Sequence, residues 1–364
     1  MAAPLAGVRV VDLTRHYPGP YATLLLSDLG ADVAKLEDAG EGDPLRALPE
    51  QFEALNRGKR SIAVDLKAPE GASLLRRLCG RADVFIEGFR PGVLARLGCA
   101  LEALSTEFPR LILCSLSGFG QTGPLRDRAG HDIGYLAASG VLSRFGLGDL
   151  PALPGAQIAD FLAGGLQAVV AILAALVERS SSARGRILDV AMCEGVMQTL
   201  FPRISDASSE DVLRGDRPCY RVYACRGGGA IALGALEPKF WHRFCAAVSR
   251  SQWEARQFDA SLCTAVDELF SERTRDEWAA LLAPADCCAE PVLTIEELRT
   301  HPQHRSRSLW LSDDRPRTLP ALVGTEDLPA RRAPLHGEHG SEILREAGLS
   351  EAEIAAFRDS GALQ

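Results

Sequence analysis

His131 and Asp132 stand side by side in Gly130-His-Asp-Ile133, just after a glycine-rich stretch. An imidazole whose tautomer is fixed by a neighbouring carboxylate is a general base that works near neutrality. A His–Asp pair can equally be structural, and the pattern leaves both readings open. Asp160 follows 29 residues after His131, at the head of the apolar run Phe161–Val177. A carboxylate there is the ordinary N-cap of a helix, or a reactive carboxylate at a positive helix end, where the dipole favours the ionised form. Glu237, directly ahead of Pro238, carries the same ambiguity. Gly118, Gly120 and Gly123 satisfy G-x-G-x-x-G, but Pro124 follows at once. A dinucleotide fingerprint must open a helix and carry an acid about 20 residues on. What remains is a loop at the end of a strand, where glycines let a ligand approach the backbone closely.

Cations gather upstream of these groups. Asn56-Arg57-Gly-Lys59-Arg60 packs three into one turn, and Arg90 follows in Glu87-Gly-Phe-Arg-Pro-Gly92. From Asn56 to Arg90 there are eight Lys and Arg against four Asp and Glu, +4 within a chain of formal net charge −8. The cluster is either a solvated face or a site for a phosphorylated ligand, to which Arg gives bidentate contacts. The acid excess argues against a protein built mainly to hold nucleic acid or an anionic membrane.

At 364 residues the chain is long enough for two domains and for a core that needs no disulfide or metal staple. The N-terminal Met1–Leu13 lacks the basic start of a signal peptide. The 17-residue run Phe161–Val177 reads as a buried core helix rather than a membrane span. The ten cysteines show no C-x-x-C and no pairing with His at zinc spacing, so no metal is expected. Cys114 reads as a small hydrophobe within a strand, and Cys287 and Cys288 as packing residues. A cytoplasmic location follows from this cysteine usage.

The elements that must position these residues alternate in kind. Strands are predicted at Val8–Leu13, Ala31–Glu37, Ser61–Leu66, Asp83–Phe89, Leu111–Leu116 and Arg186–Val190. Helices are predicted at Tyr21–Leu29, Glu70–Leu78, Val93–Leu97, Leu101–Phe108 and Phe161–Arg179. This alternation predicts an α/β fold with an open, mainly parallel sheet, whose ligands lie beyond the carboxyl ends of the strands. After residue 196 the pattern changes. Residues 197–219 read as a linker, and Tyr220–Cys225 with Ala230–Ala235 as a hairpin opening a smaller α+β domain over 220–325. Helices follow at Pro238–Val248, Ala265–Ala283 and Ile295–Thr300. Arg305–Pro334 looks extended, and Ser350 and Glu353 form a capping box for a last helix.

These features fall in an order that resembles the family III CoA transferases and their α-methylacyl-CoA racemase branch. The resemblance is carried by Leu5–Leu13, Gly19-Pro-Tyr-Ala-Thr23, Leu29-Gly-Ala-Asp-Val33, Asn56–Ser61, Glu87–Gly92, Ser117–Pro124, Ile158-Ala-Asp160, Glu237-Pro-Lys-Phe240 and Asp286–Leu293. It implies a large Rossmann-like CoA-binding domain over 1–196, with 326–364 returning to it, and an interlocked homodimer. It implies an acyl-CoA thioester as substrate, with no cofactor besides, and Arg57, Lys59, Arg60 and Arg90 meeting the phosphates of CoA. Gly118, Gly120 and Asp132 would also line that site. In transferases the carboxylate matching Asp160 is a nucleophile that forms an aspartyl-CoA thioester. In racemases it works with the histidine matching His131 as an acid/base pair on opposite faces of the α-carbon, with the enolate held by a backbone N–H. Glu237 matches a supporting racemase position. One departure concerns Asp38, which stands where relatives often carry a basic residue near the nucleotide.

Overall fold

The computed structural model describes residues 3–206, 211–310, 315–318 and 331–364. The chain divides into two compact units. The first holds residues 1–140, 155–199 and 308–364, and the second residues 141–154 and 200–307.

Six short runs rich in β-branched residues become the strands of the first unit: β1 (Arg9–Leu13), β2 (Asp32–Asp38), β3 (Arg60–Val64), β4 (Val84–Glu87), β5 (Ile112–Ser117) and β6 (Ile187–Ala191). They form one parallel sheet in the order β3-β2-β1-β4-β5-β6, each within a residue or two of its predicted bounds. β4 and β5 are buried at every position, as befits strands covered on both faces by crossover helices. The order reverses between β1 and β4, which opens a crevice beyond their carboxyl ends.

The C-terminal segment closes one side of this unit. Ser350 and Glu353 form the predicted capping box, which starts the helix Glu351–Asp359. Ile343, Leu344, Ile354 and Leu363 join Ile62, Val64 and Leu74 in one apolar cluster, and the Gln364 amide donates to the Ala63 carbonyl at 3.2 Å. Much of the stretch expected to run extended, Arg305–Pro334, lies outside the described residues.

Helices Pro49–Asn56 and Asp132–Ala138 lie outside the predicted elements, because each is only two turns long and carries too little periodic signal. The apolar run forms a π-helix over Ala159–Leu166 continuing as an α-helix over Gln167–Ser182. Only one face of it is buried: Leu162, Val170 and Val177 are 56, 60 and 73% exposed, which corrects the expectation of an enclosed core helix. By length and composition alone Ala159–Ser182 could cross a membrane.

In the second unit β7 (Tyr220–Ala224) and β8 (Ala230–Gly234) form the expected hairpin. A third strand, β9 (Ala289–Pro291), extends it. β9 is only three residues long and contains Pro, so it left no periodic signal. The predicted helix Ala265–Ala283 is two, Cys263–Phe270 and Arg275–Leu282, because Thr274 and Glu277 form a capping box that restarts the chain. Their core is aromatic, with Tyr223 and Phe270 stacked at 4.7 Å and Trp278 5.0 Å from Phe270. Residues 141–154 belong to this unit rather than to the first, as the expected bounds had it. The Arg144–Asp211 ion pair and an Arg214 contact to the Gly146 carbonyl tie them there. All ten cysteines are free.

Candidate active site

Beyond the carboxyl ends of β1, β2, β3 and β4 lies a cavity of about 570 Å³, a volume typical of small-molecule sites. Leu13 and Val64, the last residues of their strands, line it, and its walls carry Arg15, Lys67, Arg90 and Arg96. The acids around it are occupied. Glu37 takes a fork from Arg46 at 2.7 Å and the Ser61 hydroxyl at 2.6 Å. Asp43 lies 2.8 Å from the Lys35 ammonium and accepts the amides of Leu45 and His16. Asp38 and Asp65 accept backbone amides of their own turns. The four cations, by contrast, have no carboxylate partner among the described residues, and Arg15 lies over the Phe89 ring at 5.5 Å. Unpaired guanidinium and ammonium groups around a cavity with satisfied acids suit a phosphorylated ligand. Asp38 stays at the exposed rim of the cavity.

Of the cations expected to meet phosphates, only Arg90 lines this cavity. Arg57 forks onto Asp28 with both contacts at 2.6 Å. Arg60 pairs with Asp32 at 2.5 Å and with Glu346 at 2.8 Å. Lys59 is enclosed: its ammonium donates to Thr23 Oγ1 at 2.7 Å and to the Pro20 carbonyl and Asn56 Oδ1 at 2.9 Å, and lies 3.4 Å from Asp12. All three precede or open β3, at the opposite end of the sheet from the cavity. Within the packed unit their charge is matched internally, since an unpaired buried cation is costly. The +4 of the sequence is therefore largely spent inside the fold, and Arg57, Lys59 and Arg60 are corrected from phosphate ligands to structural pairs.

His131 is the residue from which helix Asp132–Ala138 starts, in an extended conformation, and its imidazole is exposed. Asp132 does not orient that ring. Its carboxylate accepts the Asp160 backbone N–H at 3.0 Å, which ties the segments of His131 and Asp160 together, and it does not line the cavity. Tyr135, in the same helix, donates its hydroxyl to the Gly130 carbonyl at 2.8 Å. The ring packs so closely on Gly118 that a Cβ there would sit 2.3 Å from it, and Phe119 meets it edge-on at 5.2 Å. Gly120, at φ +84°, donates its amide to Ser117 Oγ at 3.0 Å, a turn only glycine adopts without strain.

Asp160 is buried in the first turn of the π-helix and caps nothing; Ile158 holds the cap position. The widened turn fits a close approach. A Cβ on Gly165 would lie 2.6 Å from the Tyr21 ring and 2.9 Å from the Pro18 carbonyl, so helix Pro18–Asp28 presses directly on this segment. Such π-turns recur at functional sites. Burial pushes the Asp160 carboxyl up to about 6; the Asp132 charge adds to the rise and His131 opposes it. Tyr135 is pushed up to about 12 by burial and by Asp160, while Arg90 pulls it down. His16, at φ +66°, has its pKa lowered by partial burial, against Asp43 and with Arg15 and His131 as further lowering charges. Glu237 starts helix Pro238–Ala247 in the second unit, exposed and without a capping bond.

Sequence reasoning missed Arg15, Lys67 and Arg96 because each stands alone in its segment. It missed the π-turn because nothing in an apolar run distinguishes π from α.

The parallel sheet, the cation-lined cavity at its reversal point and the buried Asp160 near His131 are those of an α/β enzyme. Residues 5–340 match CoA-transferase family III, and the chain belongs to that family. It is 38% identical to an alpha-methylacyl-CoA racemase of Mus musculus, over 96% of this chain and 95% of that one. It is 30% identical to a succinyl-CoA:glutarate CoA-transferase of Homo sapiens, over 94% of this chain and 86% of the relative. A crystal structure of a CAIB/BAIF family protein from Brucella suis matches with a TM-score of 0.82 at 29% identity, covering 95% of this chain and 100% of the other.

Proposed function

We propose that this enzyme epimerises the α-carbon of 2-methylacyl-CoA thioesters. The observation that carries the reading is Asp160, a buried carboxyl pushed up to about 6 with His131 acting on it electrostatically. A carboxyl raised towards neutrality and an imidazole close enough to act on it form an exchangeable acid/base pair. One group takes the α-proton, and the C–H electron pair moves into the thioester as an enolate. The other returns a proton to the opposite face, so no co-reactant is consumed. The Asp160 N–H, engaged by Asp132 at 3.0 Å, would exchange that partner for the enolate oxygen. Arg15, Lys67, Arg90 and Arg96 would take the phosphates of CoA. The similarity to the mouse racemase supports the same reading.

A cytoplasmic homodimer, in which Glu237 supports the site and CoA is the only non-protein group, belongs to this proposal. The exposed apolar row Leu162, Val170 and Val177 is the surface such a dimer would cover.

The transferase-named relative supports a second reading. Here ionised Asp160 attacks the donor thioester and CoA thiolate leaves a mixed anhydride. The thiolate then attacks the aspartyl carbonyl, releasing the donor acid and leaving an aspartyl-CoA thioester. Incubation of 2-methylacyl-CoA thioesters in D2O separates the two. Epimerisation predicts α-deuterium incorporation without an acceptor acid, lost by at least a hundredfold in His131→Ala. Acid-dependent CoA transfer with a hydroxylamine-trappable enzyme thioester, retained in His131→Ala and without exchange, refutes it.

A further inference from the structure

One buried acid has no part in this chemistry. Glu87 ends β4, 3% exposed, and no cation pairs with it among the described residues. Sheet register sets Glu87 beside Ser115 of β5, and Ser115 beside Asp189 of β6. Glu87 Oε1 is hydrogen-bonded to the Ser115 hydroxyl, and its Oε2 accepts the Phe89 N–H at 2.8 Å, one residue before Arg90. Ser115 Oγ also accepts from Gln121 Nε2 at 2.7 Å, and the Gln121 backbone N–H donates to Asp189 at 3.0 Å. Three polar residues thus lie in a row across the sheet, and Gln121 is clamped onto them from the glycine-rich loop.

The row grips both halves of the site. On one side it fixes the turn that carries Phe89 and Arg90 into the cavity. On the other it fixes the loop whose Gly118 packs on Tyr135, the residue bonded to the carbonyl just ahead of His131. An apolar row would fill the sheet at lower cost, because an unpaired buried carboxyl is expensive. Burial, with Asp189 adding to it, pushes Glu87 up to about 7, against the hydrogen bonds from Ser115 and Phe89, which favour its charged form.

We propose that Glu87, Ser115 and Asp189, through Gln121, form a positioning row that sets the glycine-rich loop and His131 relative to the Arg90 cavity. The thioester seated by its phosphates at Arg90 then meets His131 in register. This inference rests on the acyl-CoA reading given above.

Two variants test it, Ser115→Ala and Gln121→Ala, with Glu87→Gln as the conservative control. α-Proton exchange turnover should fall at least tenfold in both, while the half-saturating thioester concentration stays within threefold. Glu87→Gln keeps an acceptor for the Phe89 N–H and a partner for Ser115, so its turnover should stay within threefold of the parent. Turnover within twofold of the parent in both variants, or a loss carried wholly by KM, overturns the proposal. Amide hydrogen exchange gives a readout that needs no turnover. Free CoA should slow the amides of 89, 90 and 92 and of 118–121 together in the parent, and only those of 89, 90 and 92 in Ser115→Ala. Protection of both segments in Ser115→Ala, or of neither or only one in the parent, refutes the row. A parent that binds CoA but exchanges no α-proton refutes the epimerase reading alone.

Discussion

Replacing Asp160 by Asn should make the protein more stable as pH rises, while abolishing α-proton exchange. The parent carboxyl moves from an ordinary 3.8 to about 6 because burial disfavours its charged form. A raised acid in the folded state binds protons that the unfolded state releases, so parent stability falls as pH rises between those two values and stays low above them. At about 1.36 kcal/mol per pKa unit, the full penalty is about 3 kcal/mol at pH 8 and about 1.5 kcal/mol at pH 5. Asn has the same shape and never ionises, so it escapes that penalty. The stability gain of the variant over the parent should therefore roughly double from pH 5 to pH 8. Urea unfolding followed by far-ultraviolet circular dichroism is the suitable assay, because three of the four tryptophans, Trp241, Trp253 and Trp278, lie in the second unit and Asp160 in the first, so fluorescence would weight the wrong unit. A gain independent of pH, or a variant less stable than the parent at pH 8, would refute the argument that burial sets this carboxyl.

The same reasoning applies to the cations. Arg90→Ala or Lys67→Ala should weaken CoA binding about tenfold or more, the value of a charge-assisted contact, and reduce its salt dependence. Arg60→Ala should leave affinity within twofold in the same titration calorimetry, since its partners are Asp32, Glu342 and Glu346. Lys59→Ala should cost about 3–5 kcal/mol in urea unfolding, because it leaves Asp12 buried with Lys35, the Thr14 and Thr23 hydroxyls and the Thr14 N–H as its partners; a loss below about 1 kcal/mol would show that the pair is dispensable.

Strand positions were legible because a parallel sheet covered on both faces demands unbroken runs such as Ile112–Ser117, bounded by polar turns. The capping boxes at Ser350 and at Thr274 are written in three-residue spacings, although only the first was read. The second broke a helix that periodicity alone would have run through. Asp160 and His131 could be picked out as residues with chemistry, but their local sequence suggested the wrong geometry for both. The cap predicted for Asp160 fails because the chain widens into a π-turn where Gly164 and Gly165 meet Pro18, Tyr21 and Met192. The carboxylate expected to orient His131 turns instead to the backbone of Asp160.

By itself, then, the sequence determined the alternation that builds the sheet, the motifs that place the chain in its family, and the candidates for acid and base. Tertiary structure alone decided which charges are available. Arg60 is neutralised by Glu342, 282 residues away, and Arg57 by Asp28, 29 residues away, while Arg15, Lys67, Arg90 and Arg96 converge on one cavity with no carboxylate partner among the described residues. The reason is physical: a residue's type sets its charge, but its neighbours in space set whether that charge is matched, desolvated or free to meet a ligand.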